Sequence, residues 1–164
     1  MKDSPMPKQN ESTAKALSNQ YVTFQLGTET YGISILKLNE IIAYQSCTTI
    51  PNVPNFIKGV LNLRGIVVPV IDLRERFGME LKEYDQFTVI MILDVSGRIM
   101  GLVVDAVSDV LTLNKEDVKP RPHFSTGIST EFIFGMGIKD NKFIILLDVD
   151  KLLSDEELNM VDGV

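Results

Sequence analysis

From Tyr21 onward, apolar residues come in short runs, rich in β-branched and aromatic types and broken by Gly, Asn, Asp and Pro. Runs of that length and texture predict strands joined by turns. They fall at Tyr21–Leu26, Thr30–Ile35, Thr48–Ile50, Ile66–Ile71, Thr88–Asp94, Ile99–Val104, Phe132–Ile138 and Lys142–Leu147. Asp94 to Arg98 and Asp140-Asn141 supply turn residues for two hairpins. Pro69 sits inside one run, and a residue with no N–H for the ladder predicts an edge position or a bulge there. Helical patterning is scarce. Asp72 with Glu75 offers a capping box for a turn over Leu73–Phe77 that stops at Gly78. Ser154 with Glu157 opens a last helix to about Val161, and Leu36–Ala43 is a third candidate. Residues 1–19 are rich in Lys, Ser, Asn, Pro and Glu with no apolar period, which predicts a disordered arm.

The pattern also repeats. Tyr31-Gly32-Ile33-Ser34-Ile35 followed by Asn39-Glu40-Ile41-Ile42 returns 69 residues later as Met100-Gly101-Leu102-Val103-Val104 followed by Ser108-Asp109-Val110-Leu111. Ile50-Pro51 returns as Lys119-Pro120, and the spacing from Gly59 to Asp72 matches that from Gly135 to Asp148. Self-similarity at a fixed shift marks duplicated units. Two copies are too few for a solenoid, so the expected fold is all-β with a few short helices, built as two five-stranded β-barrels. Closing each barrel removes exposed sheet edges. The expected boundaries are an arm at 1–19, a domain at 20–158 with subdomains at about 20–85, with the final strand region crossing over, and about 86–150, and a C-terminal helix and tail at 151–164.

Composition narrows the function. The chain has 164 residues, one ordinary domain by length. Sixteen Lys and Arg against 22 Asp and Glu leave a net charge of −6, which argues against nucleic acid as a partner. One cysteine, Cys47, allows no internal disulfide, and one histidine, His123, leaves a zinc site short of ligands. No apolar run reaches the length of a membrane span, and the start lacks the apolar core of a secretory signal. These features imply a cytoplasmic protein that does not insert into the membrane.

Catalytic chemistry finds little to work with. His123 lies in Lys119-Pro120-Arg121-Pro122-His123-Phe124 with no nucleophile elbow anywhere in the chain. Asp72 and Asp148 follow strands and precede helices, where a helix N-cap is the expected role. No glycine-rich phosphate loop is present, and no metal or cofactor is expected. The seven methionines read as core fillers. The segment Phe56 to Arg74 stands apart, because Arg64-Gly65 would present a guanidinium at the rim of a barrel.

At these residues the chain resembles the CheW family of chemotaxis coupling proteins. The likeness runs from about Tyr21 to Leu158, through Tyr31-Gly32-Ile33 with Asn39-Glu40-Ile41 and Phe56-Ile57-Lys58-Gly59 to Asp72-Leu73-Arg74. It continues through Gly101 to Asp105, Val107 to Val110 and Ile144 to Asp148. The resemblance implies two SH3-like barrels and a non-enzymatic adaptor. Such an adaptor joins the cytoplasmic tip of methyl-accepting chemotaxis receptors to the regulatory domain of the histidine kinase CheA in membrane receptor arrays. It further implies that Leu38, Glu40, Arg64, Val89, Val107 and Val110 line or support a groove for the helical receptor tip, with Glu40 and Arg64 paired across its rim. Lys119 and Phe124 are the implied kinase contacts; many relatives carry arginine where this chain has Lys119. The alternatives are an adaptor of a non-flagellar chemosensory pathway and a small-ligand-binding β-barrel.

Overall fold

The structure, a computed structural model, describes residues 19–120 and 130–162. Apart from Asn19, the expected arm lies outside the described residues, as do His123 and Phe124. The described residues are mostly strand. These are β1 (Gln20–Leu26), β2 (Glu29–Ser34), β3 (Leu38–Ala43), β4 (Ile57–Leu63), β5 (Ile66–Asp72), β6 (Val89–Val95), β7 (Arg98–Val104), β8 (Ala106–Thr112), β9 (Val118–Lys119), β10 (Ile133–Lys139) and β11 (Lys142–Leu147). Two short helices, α1 (Leu73–Arg76) and α2 (Asp155–Asp162), complete the all-β fold together with single 3-10 turns, one of them at Val149–Lys151.

The internal repeat is a repeat of strands. β1, β2 and β3 return 69 residues later as β6, β7 and β8, while β4 and β5 return 76 residues later as β10 and β11. The strands make two sheets, a five-stranded one in the order β3-β6-β7-β5-β4 and a six-stranded one in the order β8-β1-β2-β11-β10-β9. In each repeat the hairpin stays in one sheet and the third strand crosses to the other, so β3 pairs with β6 and β8 pairs with β1. Residue 85 falls in the connection before β6, and each sheet takes strands from both sides of it. The two parallel joins are equivalent as well: Gly32 of β2 faces Leu146 and Gly101 of β7 faces Val70.

Neither sheet is flat. β8 and β9 are opposite edges of the six-stranded sheet, which laid flat would separate them by about 24 Å. The link from Thr112 to Val118 reaches at most about 20 Å fully extended, and part of it is coiled in a 3-10 turn. The sheet must therefore curl. The five-stranded sheet does the same, since Thr48, just beyond β3, bridges to Val60 on the far edge strand β4.

Curled sheets need two buried faces, and the alternation along β6 supplies both. Met91, Leu93 and Val95 point into a core shared by the two sheets, with Phe24, Tyr31, Leu102 and Leu147. Ile90 and Ile92 point the other way, into a cluster with Leu61, Val68, Val70 and Val103. Leu113, Ile144 and Leu146 form the smaller equivalent inside the six-stranded sheet. Three of the hairpins close on two-residue turns with both residues at positive φ: Arg64-Gly65, Ser96-Gly97 and Asp140-Asn141.

Several local expectations change. Leu36–Ala43 is not a helix; one 3-10 turn at Ile35–Lys37 gives way to β3, whose register against β6 offers more burial than an isolated helix of that length. Thr48–Ile50 contributes only the bridge at Thr48, while β4 and β8, absent from the expected strands, are both full partners. Pro69 belongs to an inner strand, but the ladder to β7 begins one residue later at Val70, so at Pro69 the strand has no partner on that side, and the register shift of the β4–β5 pair lies beside it, opposite Val70. Asp72 caps α1 through its bond from the Glu75 N–H, but Glu75 does not return it and binds Lys58 instead.

Candidate protein-interaction surface

Arg64 occupies the first position of the β4–β5 turn, held there by its own positive φ and that of Gly65. Asn62 accepts the Gly65 N–H at 2.8 Å, which fixes the turn and aims the guanidinium. Arg64 reaches Glu40 on β3 with both terminal nitrogens, Nη1 at 3.4 Å from Oε1 and Nη2 closer still to Oε2. The pair thus spans the two edges of the curled five-stranded sheet. The Arg64 side chain is 68% exposed, so the pair contributes little to folding and is free to exchange partners. Its equivalents in the second repeat, Asp109 and Asp140, are both acidic and line a cleft of about 530 Å³ with Thr23, Gln25 and Lys139. Only the first repeat carries the ion pair.

The other sequence-derived positions divide between the sheets. Leu38, Val89 and Val107 are half-buried against the shared core, Leu38 and Val89 from the five-stranded sheet and Val107 from the six-stranded one. Val110 on β8 is 52% exposed, with its backbone opposite Val22. Lys119 is exposed on β9 opposite Met136. Phe124 lies outside the described residues. Ile41, Ile66, Val67 and Phe87 are exposed apolar residues near these positions in sequence that the motif reading did not single out. Two β-branched residues directly after an Arg-Gly turn were the available clue.

Behind this surface the sheets are tied by charge. Arg74 on α1 donates to Asp105, which links β7 to β8, through Nε at 2.8 Å and Nη2 at 2.7 Å. The Gly27 N–H in the β1–β2 turn donates to the same carboxylate at 2.9 Å. Lys37 and the Ser96 N–H both donate to Asp150. Tyr84 donates to Asp72, and burial together with that carboxylate pushes its phenol pKa up. No group of three or more His, Cys, Asp and Glu placed to hold a metal occurs among the described residues, and no helix among them is long and apolar enough to cross a membrane.

Two curled sheets about a common core, with an exposed ion pair joining the edges of one of them, define the class of the protein as a two-sheet β module. The chain belongs to the CheW-like domain family, whose model matches residues 20–157. It is 46% identical to the chemotaxis protein CheW of Klebsiella aerogenes over 150 residues, covering 92% of this chain and 90% of that one. It is 37% identical to the chemotaxis protein CheW of Treponema pallidum, covering 85% and 84%. In structure it is similar to the scaffolding protein TtCheW from Thermoanaerobacter tengcongensis, with a TM-score of 0.80 at 36% identity, covering 85% of this chain and 95% of that one. The family role is that of a coupling adaptor in chemotaxis.

Proposed function

We propose that this adaptor works in the cytoplasm at membrane receptor arrays, where it couples the helical tips of methyl-accepting chemotaxis receptors to the regulatory domain of the histidine kinase CheA, without chemistry of its own. The observation that carries this reading is the Glu40–Arg64 pair, exposed and bridging two sheet edges beside the half-buried Leu38. A helical tip has an apolar stripe and flanking charges. Leu38, Val89, Val107 and Val110 supply contact area for the stripe, and the ion pair orients it by exchanging one internal partner for one on the helix. Lys119 and Phe124 form the kinase-facing side in this reading.

Arg64→Ala tests it. With the side chain mostly in solvent, the variant is expected to fold with an unchanged melting temperature. Co-sedimentation with receptor-containing membranes, with CheA autophosphorylation read in the same tubes, is expected to fall about tenfold. Full receptor capture and full kinase activation in a folded Arg64→Ala protein would reject the site.

A further inference from the structure

We propose that Arg76 is a positioning residue: by clamping the C-terminal strap, residues 149–158, to both repeats, it fixes the angle between the sheets and so the presentation of Leu38, Val89 and Val107. The guanidinium lies between two rings, 4.6 Å from the centroid of Phe56 and 4.7 Å from that of Phe132. Those two phenylalanines are equivalents in the internal repeat. The carbonyl of Phe56 accepts the Asp72 N–H at 2.8 Å, and that of Phe132 accepts the Asp148 N–H at 2.9 Å. Arg76 belongs to α1 in the first repeat, yet its Nε donates to the Leu152 carbonyl at 2.6 Å and its Nη2 lies 3.6 Å from Glu157. Glu157 in turn accepts the Ser154 N–H, and Ser154 accepts the Glu157 N–H, so the clamp grips the capped start of α2. A planar group with donors along its edge and two faces for rings is needed to hold all four partners at once.

The strap it holds joins the sheets. It leaves β11 of the six-stranded sheet and then packs Val149, Leu152 and Leu153 on Ile71, Val95, Met100 and Leu102 of the five-stranded one, across a seam too narrow for water. Asp150 adds bonds from Ser96 at the β6–β7 turn and from Lys37 just before β3. Val95 and Val89 are opposite ends of β6. The strap therefore secures one end of the intersheet seam while Val89 and Val107 stand at the other, and loosening the first lets the second splay.

A distance measurement between the sheets tests this without any partner. Spin labels on Ala43→Cys in β3 and Lys142→Cys in β11, both exposed, in a Cys47→Ala background report the intersheet separation. One narrow distribution is expected with Arg76 intact, a broadened one in Arg76→Ala and Glu157→Gln, and an intermediate one in Arg76→Lys, which keeps the charge but not the fork. Receptor-tip capture is expected to fall about fivefold in step, a consequence that rests on the adaptor reading. Glu157→Gln retains both rings, the Leu152 bond and an acceptor for Ser154, so it carries the test if Arg76→Ala does not fold. An unchanged distribution in Glu157→Gln, or loss of both sheets in that mild variant, overturns the proposal. A broadened distribution without any receptor capture upholds the clamp and counts against the adaptor reading alone.

Discussion

At Gly59 two backbones meet where a side chain would begin. Its φ is +143, and a Cβ there would lie 2.0 Å from the Thr48 carbonyl oxygen, inside the bridge that closes the five-stranded sheet. Neither backbone can retreat without breaking the paired Thr48 and Val60 bonds of 2.9 and 2.8 Å. Gly59→Ala is therefore expected to destabilise the protein by about 3 kcal/mol or more, read as a lower urea midpoint. Gly65 is the contrast, with φ +88 but open space around it. Gly65→Ala should cost only about 1 kcal/mol. Its more telling effect should be on receptor capture, because Gly65 sets the turn that aims Arg64. Equal destabilisation by the two substitutions would show that conformation, not the close approach at Thr48, governs Gly59.

Between α1 and β6 the chain runs from Phe77 to Thr88 without strand or α-helix; Phe77 and Met79 pack on the core at its start, and Tyr84 anchors its exposed middle. Tyr84 lies against Tyr44 with centroids 4.2 Å apart and ring planes tilted by 45°, and it donates to the buried carboxylate of Asp72, the cap of α1. Removing that donor leaves Asp72 short of a partner, so Tyr84→Phe is expected to cost about 2 kcal/mol. Faster amide hydrogen exchange should appear over residues 79–88 first; uniform acceleration across both sheets would mean that the connection is not a separate unit. Nothing in the sequence marks Tyr84, because its partners lie on other elements and no local period joins them. The same reason separates what was legible from what was not. Hairpins and caps depend on neighbours, so Ser154 with Glu157 and the turns at Ser96-Gly97 and Asp140-Asn141 were readable. β3 and β8 depend on partners far along the chain, and β8, with Ser108 and Asp109 exposed, carries too little apolar alternation to announce itself. Arg64 and Glu40 were legible as a pair through the family motif, whereas Arg76 and Asp105 gain their roles only when the repeats are brought together.

Across the whole molecule, the joint between the repeats should respond to acid. Burial pushes the Asp105 carboxyl up, but the bonds from Arg74 and the Gly27 N–H, with the Arg74 charge, outweigh it and hold the pKa below the usual range. The unfolded chain, with an ordinary value of about 3.9, then takes up the proton first. The stabilisation is whole above that value and is lost as the pH falls through the lower, folded one. Asp85 is also lowered, chiefly by the Phe87 N–H, so acid sensitivity of the intact protein alone does not identify the joint. Asp105→Asn does. It leaves Arg74, whose side chain is only 15% exposed, with the Glu80 carbonyl but without its paired carboxylate, and is expected to lower stability by about 3 kcal/mol near neutral pH. Urea midpoints measured from about pH 5 to about pH 3 should fall less steeply in the variant than in the parent, because one of the titrating groups is gone. Parallel slopes would mean that Asp105 keeps an ordinary pKa in the folded protein and that the acid response of the joint does not run through the Arg74–Asp105 pair. A shallower slope would make the Arg74–Asp105 pair an acid-labile tie between the sheets, at the point where Asp105 links β7 of one to β8 of the other.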